Sequence, residues 1–327
     1  MSKDKTSQFR TIYETQKPMY KAWGEYVKEY ILRCLNESGY DCDSILKIPV
    51  NVRVKDTESI IAKAFFRADK NYSDPINQIT DKVGIRFVVM VEDQIKIFQN
   101  IIEKEELWVS SKDIDYEEAR ENSPELFNYQ SVHYIVRNKK LFEKNNIIIE
   151  KNIPCEIQIR TLEQHAYAEL SHDYVYKSNI VIAPLIRRSL AKSMALNETT
   201  DFLFSQVYNM VNEEKKKYAN FTNSLLKIYP FKNRSEKINR EIYDNIECLV
   251  KKYDISTTKI YDFIEQNMHI IKNIEDRQDL YLFMQPSVLL LYYLVRYHVN
   301  EFTRVWEYPS ETISLIYADL GISDERY

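Results

Sequence analysis

The residues able to do charge chemistry fall in four separated stretches of this 327-residue chain. RVKDTESIIAK (53–63) holds Arg53, Lys55, Ser59 and Lys63, and ITDKVGIRFVV (79–89) holds Asp81, Gly84 and Arg86. YQSVHYIV (129–136) holds Tyr129, Ser131 and His133. EIQIRTLEQHAYAELSHDYVYK (156–177) opens on Glu156, Gln158 and Arg160 and runs on to His165, Glu169, His172, Asp173 and Tyr176. In the strand-like parts polar and apolar residues alternate, so the polar set stands on one face and the apolar set on the other. If these faces coincide in one sheet, Arg53, Lys55, Lys63, Arg86 and Arg160 gather beside the carboxylates of Asp81 and Glu156. Such a set suits a metal–polyphosphate complex, with acid oxygens on Mg²⁺ and cations on the remaining phosphate charge. Taken one strand at a time, the same alternation also describes an ordinary solvated face.

No Walker A stretch occurs, and with only 4 glycines no Gly-rich phosphate loop is available. Side chains must do what backbone amides do elsewhere. On the segment after Arg160, His165, Glu169, His172, Asp173 and Tyr176 recur at helical spacing and share a face. A zinc reading of HxxxExxH lacks the HExxH order and a third ligand, so capping or hydrogen-bonded roles outweigh it. Ala166, Ala168 and Leu170 are expected to form a second face packed on the sheet.

The elements that position these groups read as follows. An amphipathic helix is expected over 18–38, opening at Pro18. Strands are expected at 48–54, 82–91, 107–113, 130–137, 146–150 and 154–160, and helices at 57–68, with Thr57 as cap, and 92–104. Residues 114–128 read as acidic and irregular. Beyond Thr161 strand signals cease. A helix is expected over 161–177, a long one over 186–218, a linker near 228–237, and helical hairpins at 238–252, 256–272, 277–298 and 310–319. The fold class is α+β: a mixed sheet of about five strands flanked by helices at 1–185, then an all-helical region at 186–327.

Composition narrows the function. The net charge of −4 excludes a general nucleic-acid glove. The cysteines, Cys34, Cys42, Cys155 and Cys248, form no CxxC pair, which fits a reducing, cytoplasmic setting rather than a disulfide framework. The first residues have no apolar core of a secretory signal, and the run SVLLLYYLV from Ser287 is too short to span a bilayer, so no membrane association is expected.

Taken in order, the four stretches resemble the nucleotidyltransferase domain of RelA/SpoT proteins, the (p)ppGpp synthetases, over about residues 47–180. The resemblance implies Mg²⁺-dependent transfer of the β,γ-pyrophosphate of ATP to the 3′-hydroxyl of GDP or GTP. It places Arg53, Lys55, Ser59, Lys63 and Arg86 on ATP, and Asp81 and Glu156 on the metal, with Glu156 alternatively activating the acceptor hydroxyl. It makes Asp81, Glu156 and Arg86 the catalytic set. Tyr129 would stack on the acceptor base, with Ser131, His133, Gln158, Arg160 and His165 also on the acceptor side. Tyr167 replaces a frequent Trp. Asn128 stands where the family has Gly, and Ser171 where it has an acid; both changes bear on the acceptor. The resemblance implies a synthetase-only protein, without the His-Asp hydrolase domain or ribosome-binding tail of long members. Two relatives within the family stay open: a (p)ppApp synthetase, and a toxin-type enzyme that pyrophosphorylates the 3′ end of tRNA. In the latter the C-terminal helices would contact tRNA, a trigger or a neutralising partner. Self-association is open as well, and a non-enzymatic nucleotide-binding scaffold is the remaining alternative.

Overall fold

The computed structural model describes residues 3–67, 71–123, 125–127, 131–171, 183–231 and 235–322. The chain forms two compact units, Met1–Asn209 and Met210–Tyr327.

In the first unit the elements run α1 (Lys3–Glu37), α2 (Cys42–Ile45), β1 (Val52–Val54), α3 (Thr57–Phe65), α4 (Pro75–Gln78), β2 (Val83–Val89), α5 (Glu92–Lys104), β3 (Trp108–Ile114) and α6 (Tyr116–Asn122). They continue with β4 (Val132–Asn138), β5 (Phe142–Lys144), β6 (Ile147–Ile149), β7 (Pro154–Thr161), α7 (Leu162–Ser171) and the long α8 (Pro184–Leu225), whose residues after Asn209 fall in the second unit. Five strands make a mixed sheet in the order β1-β2-β7-β4-β3, while β5 and β6 form a separate hairpin. Among the described residues only β2 and β7 pair in parallel; β1–β2, β7–β4 and β4–β3 are antiparallel.

Alternation decides which face is covered. Val83, Ile85, Phe87, Val89, Cys155, Ile157 and Ile159 enter one buried cluster with Trp23, Val27 and Ile31 of α1 and Ile95, Phe98 and Ile102 of α5. The opposite face carries Gly84, Arg86, Glu156 and Gln158, and α7 packs against β2 and β7. In α7 the buried positions are Gln164, Tyr167, Ala168 and Ser171. The expected packing face of Ala166, Ala168 and Leu170 is thus corrected: Ala166 and Leu170 are exposed.

Further local expectations change for physical reasons. α1 does not open at Pro18 but runs through it. An interior proline costs about 3 kcal/mol, yet Phe9 and Tyr13 upstream are buried in the main cluster, and their burial offsets that loss. α3 is capped by Asp56, whose carboxylate accepts from Ser59 N–H at 3.0 Å; Thr57 is the first helical residue instead. The stretch expected to be irregular contains α6. The hairpin β5–β6 turns at Asn145 and Asn146, both left-handed, with only β6 anticipated.

The second unit is helical: α9 (Glu236–Lys252), α10 (Thr257–Gln266), α11 (His269–Glu275), α12 (Val288–Tyr297), α13 (Val299–Val305), a 3₁₀ turn (Ser310–Thr312) and α14 (Ser314–Leu320). The helix expected over 277–298 begins only at Val288, just after Pro286, which cannot donate to a preceding turn. Its core includes Ile246, Ile260, Phe263, Leu289, Leu290, Leu291, Phe302 and Ile316. No helix among the described residues is long and apolar enough to cross a membrane. All four cysteines are free.

Candidate active site

Strand register assembles the polar face. Arg53 pairs with Gly84, and Gly84 pairs with Glu156, so these three form one row across β1, β2 and β7. The next row is Arg86, Gln158 and His133 across β2, β7 and β4. Groups far apart in the chain therefore share one side of the sheet. Gly84 keeps that side open: a Cβ there would lie 3.7 Å from Glu156 Oε2, filling the space beside the carboxylate.

At one end of this face two cations converge on a single acid. Lys55 follows β1 and Lys63 lies in the last turn of α3. Their Nζ atoms are 2.6 Å and 2.8 Å from Asp81 Oδ2. Burial alone would raise the Asp81 carboxyl, but the two ammonium groups outweigh it and hold it below the usual carboxylate range. Asp81 Oδ1 is buried with no hydrogen-bond partner among the described residues. Tyr13 of α1 braces this corner from behind, its hydroxyl donating to the Lys55 carbonyl at 2.7 Å.

Along the middle, Glu156 Oε2 accepts from Gln158 Nε2 at 3.1 Å, and Glu156 Oε1 is 3.3 Å from His133 Nδ1. Arg160 donates to Gln158 Oε1 at 2.5 Å and is buried. Arg86 points to α7, where its guanidinium meets Glu169 Oε1 at 2.6 Å. His165, one turn before Glu169, is 3.7 Å from the same oxygen. Burial, then the charges of Arg86 and Arg160, push the His165 imidazole below its ordinary value, so it is neutral near pH 7 and this contact is no ion pair. Ser131 is buried and donates to the Ile159 carbonyl at 3.4 Å.

Of the residues singled out by sequence, Arg53, Lys55, Lys63, Asp81, Arg86, His133, Glu156, Gln158, Arg160 and His165 are thus placed on this face or at its edges. Arg53 is exposed, and its side chain has no ion-pair or hydrogen-bond partner among the described residues. Ser59 is exposed in the first turn of α3. Tyr129, and with it His172, Asp173 and Tyr176 of the zinc reading, lie outside the described residues. Glu169 was seen in the sequence only as a helix-face residue; its spacing of one turn from His165 was the signal, and its link to Arg86 needed the packing of α7.

The residues fit a divalent cation of the Mg²⁺ type. Two acids offer oxygen donors, one of them, Asp81, with a buried oxygen that has no partner among the described residues, where no cluster of three or more His, Cys, Asp or Glu groups could hold a metal. Mg²⁺ commonly takes one or two carboxylates and completes its shell with water and substrate phosphates.

Residues 52–181 match the region found in RelA / SpoT proteins. That segment belongs to the RelA/SpoT family. The chain is 25% identical over 173 residues to the GTP pyrophosphokinase YjbM of Bacillus subtilis (strain 168), covering 52% of this chain and 76% of that protein. It is also similar to the solved small alarmone synthetase 1 from Bacillus subtilis bound to its product pppGpp, at 22% identity and TM-score 0.48, over 63% of this chain and 99% of that one. A GTP pyrophosphokinase family protein from Streptococcus pneumoniae is similar at 23% identity and TM-score 0.49, over 65% and 97%. The RelA/SpoT relationship makes the chain a transferase.

Proposed function

We propose that this RelA/SpoT chain transfers the β,γ-pyrophosphate of ATP to the 3′-hydroxyl of GDP or GTP. The observation that carries the reading is the pairing of Arg53, Gly84 and Glu156 in one row beside the row of Arg86, Gln158 and His133. Two arginines and a carboxylate on one face support a reading in which cations take phosphate charge beside an acid, as polyphosphate transfer requires. The name of the curated relative, a GTP pyrophosphokinase, supports a guanine acceptor. The transfer domain is assigned to residues 1–185, with 186–327 as an accessory helical region.

In this mechanism Arg53, Lys55, Lys63 and Arg86 hold the ATP phosphates. Lys55 and Lys63 turn part of their charge from Asp81 to the substrate, and Arg86, kept in place by Glu169 on Nη1, offers its remaining N–H donors to phosphate oxygen. Asp81 and Glu156 would hold Mg²⁺, which neutralises phosphate charge when bound. His133, Gln158, Arg160 and His165 face the acceptor nucleotide, together with Ser131 and Tyr129. The acceptor 3′-oxygen bonds to the β-phosphorus, and the bond from that phosphorus to the α,β-bridging oxygen breaks. AMP leaves with the bridging oxygen, and the hydroxyl proton passes to the Glu156 carboxylate, with His133 alongside it.

The test is incubation with γ-labelled ATP and, separately, GDP, GTP, ATP or bulk tRNA. Label on GDP or GTP is the expected result. Label on an adenine nucleotide or on tRNA would reassign the acceptor and leave the transfer chemistry standing. No labelled product with any acceptor would overturn the reading.

A further inference from the structure

One buried acid outside the RelA/SpoT segment is tied directly to the start of the helix that holds Arg86. Thr161 ends β7 and caps α7: its hydroxyl accepts from Gln164 N–H at 3.1 Å, and its own N–H donates to Gln164 Oε1 at 3.1 Å. The same hydroxyl lies 2.8 Å from Asp201 Oδ2, on the first half of α8. Asn197, one turn earlier on α8, donates to the Glu163 carbonyl at 3.2 Å. Two side chains of α8 thus grip the first turn of α7. Asp201 is fully buried, and its Oδ1 has no hydrogen-bond partner among the described residues. A serine or asparagine could tie the helix without burying an ionisable group, so the carboxyl adds something a plain tie does not. Two turns beyond Thr161, Glu169 of α7 holds Arg86 at 2.6 Å.

We propose that Asp201 is a positioning residue for the transfer reaction: through Thr161 it seats α7, and so sets where Glu169 holds the Arg86 guanidinium. The role in transfer rests on the function proposed above; the mechanical link from Asp201 to Arg86 does not.

The proton on Asp201 is the variable. The groups facing it are Glu92 at the start of α5, Tyr116 and Arg120 of α6, and Glu163 of α7, with Glu198 on its own helix paired to Arg120 at 3.5 Å. Arg120 is also held by Glu92 at 2.9 Å, so its charge is shared. Burial pushes the Asp201 carboxyl up to about 7; the Thr161 hydrogen bond opposes this, while Glu92 and Glu163 add to it. Neutral Asp201 can donate its proton to Thr161 Oγ1. Ionised Asp201 instead accepts from the threonine hydroxyl but buries a charge beside Glu92 and Glu163, which opening at the seat of α7 relieves. Ionisation therefore loosens the seat of α7, and Arg86 is presented less well as pH rises through 7.

The experiment measures, between pH 6 and 8.5, both the Kd of a non-hydrolysable ATP analogue with Mg²⁺ and the rate of transfer to GDP. Wild type is expected to weaken by roughly three- to tenfold on the alkaline side, as a single controlling group would impose. Asp201→Asn keeps an acceptor for the Thr161 hydroxyl and should flatten both profiles. Thr161→Val leaves the acid in place but cuts the link, and should uncouple binding from its ionisation. Thr161→Ser should restore the wild-type profile. An Asp201→Asn protein, or a Thr161→Val protein if the first does not fold, that keeps the full alkaline fall in analogue binding would overturn the inference. If wild type transfers to no acceptor, the proposed function fails, and the binding profiles still judge Asp201.

Discussion

Asp81, partly buried, and Asp201, fully buried, are two carboxyls of the sheet unit, and their surroundings drive them in opposite directions. Asp81 receives two ammonium groups on one oxygen and is held ionised. Asp201 receives one neutral hydroxyl, faces Glu92 and Glu163, and is pushed toward its neutral form. Burial opposes charge in both; the number and sign of neighbours decide which form survives. The first acid is suited to cations and phosphate, the second to reporting pH. A third case, Asp319 in the helical unit, sides with Asp81. Burial raises it, but the guanidinium of Arg277, on both oxygens at 2.6 and 2.7 Å, and the Tyr292 hydroxyl hold it low.

The comparison can be broken most forcefully at the acids assigned to catalysis. Glu156→Ala and Asp81→Asn should each lower pyrophosphate transfer by about 10³-fold or more, measured with labelled ATP. Circular dichroism should show both proteins folded. Asparagine is the better probe at 81, because its amide oxygen still accepts from Lys55 and Lys63, which alanine would leave with no acceptor. A folded Glu156→Ala protein with wild-type transfer would remove that residue from the chemistry.

Asp319→Ala should destabilise the helical unit by about 2–3 kcal/mol, since it leaves a partly buried guanidinium without its partner. Urea melts would show this, and an unchanged midpoint would mean the pair is solvated in solution.

A smaller effect of opposite sign is expected at Asp201. Its folded-state value is raised, so the folded protein binds the proton more tightly than the unfolded chain. Stability from this group is complete below pH 4 and is lost as pH rises through about 7. Asp201→Asn should therefore stabilise the protein by about 1–3 kcal/mol at pH 8 and by much less at pH 5. A variant less stable than wild type at pH 8 would show that the carboxylate is accommodated after all.

The smallest effect belongs to Asp81 in stability. Its folded value is depressed, so its contribution is present above the unfolded value near 3.9 and fades as pH falls through the lower folded value. Wild type and Asp81→Asn should differ by about 1 kcal/mol at pH 6 and converge in strong acid. A difference that persists at pH 2 would point to shape rather than charge.

Much of the sheet was legible because its period is two and its core face is uninterrupted. The alternation in Cys155, Glu156, Ile157, Gln158, Ile159 and Arg160 specifies a one-sided strand without any knowledge of its neighbours. The helix bounds were harder. Pro18 read as a start because its missing N–H argues for one locally, while burial of Phe9 and Tyr13 settles the matter from a distance. Thr57 read as a cap for the same local reason, when Asp56 next to it does the capping. Glu169 and Asp201 carried almost no signal. An acid on a helix is usually solvated, and nothing in the local sequence says that one faces Arg86 and the other Thr161.

Chain order alone thus determined which residue types exist, which share a strand face, and that this pattern resembles a pyrophosphate-transferring family. Those properties depend on neighbours one to four residues apart, where backbone geometry is nearly invariant. Only the folded sheet decided that Arg53, Gly84 and Glu156 form one row, that Lys55 and Lys63 share one oxygen of Asp81, and that Asp201 is buried beside Glu92 and Glu163. Register and burial depend on the packing of segments distant in sequence, and a side chain's charge state follows from the groups that packing brings to it.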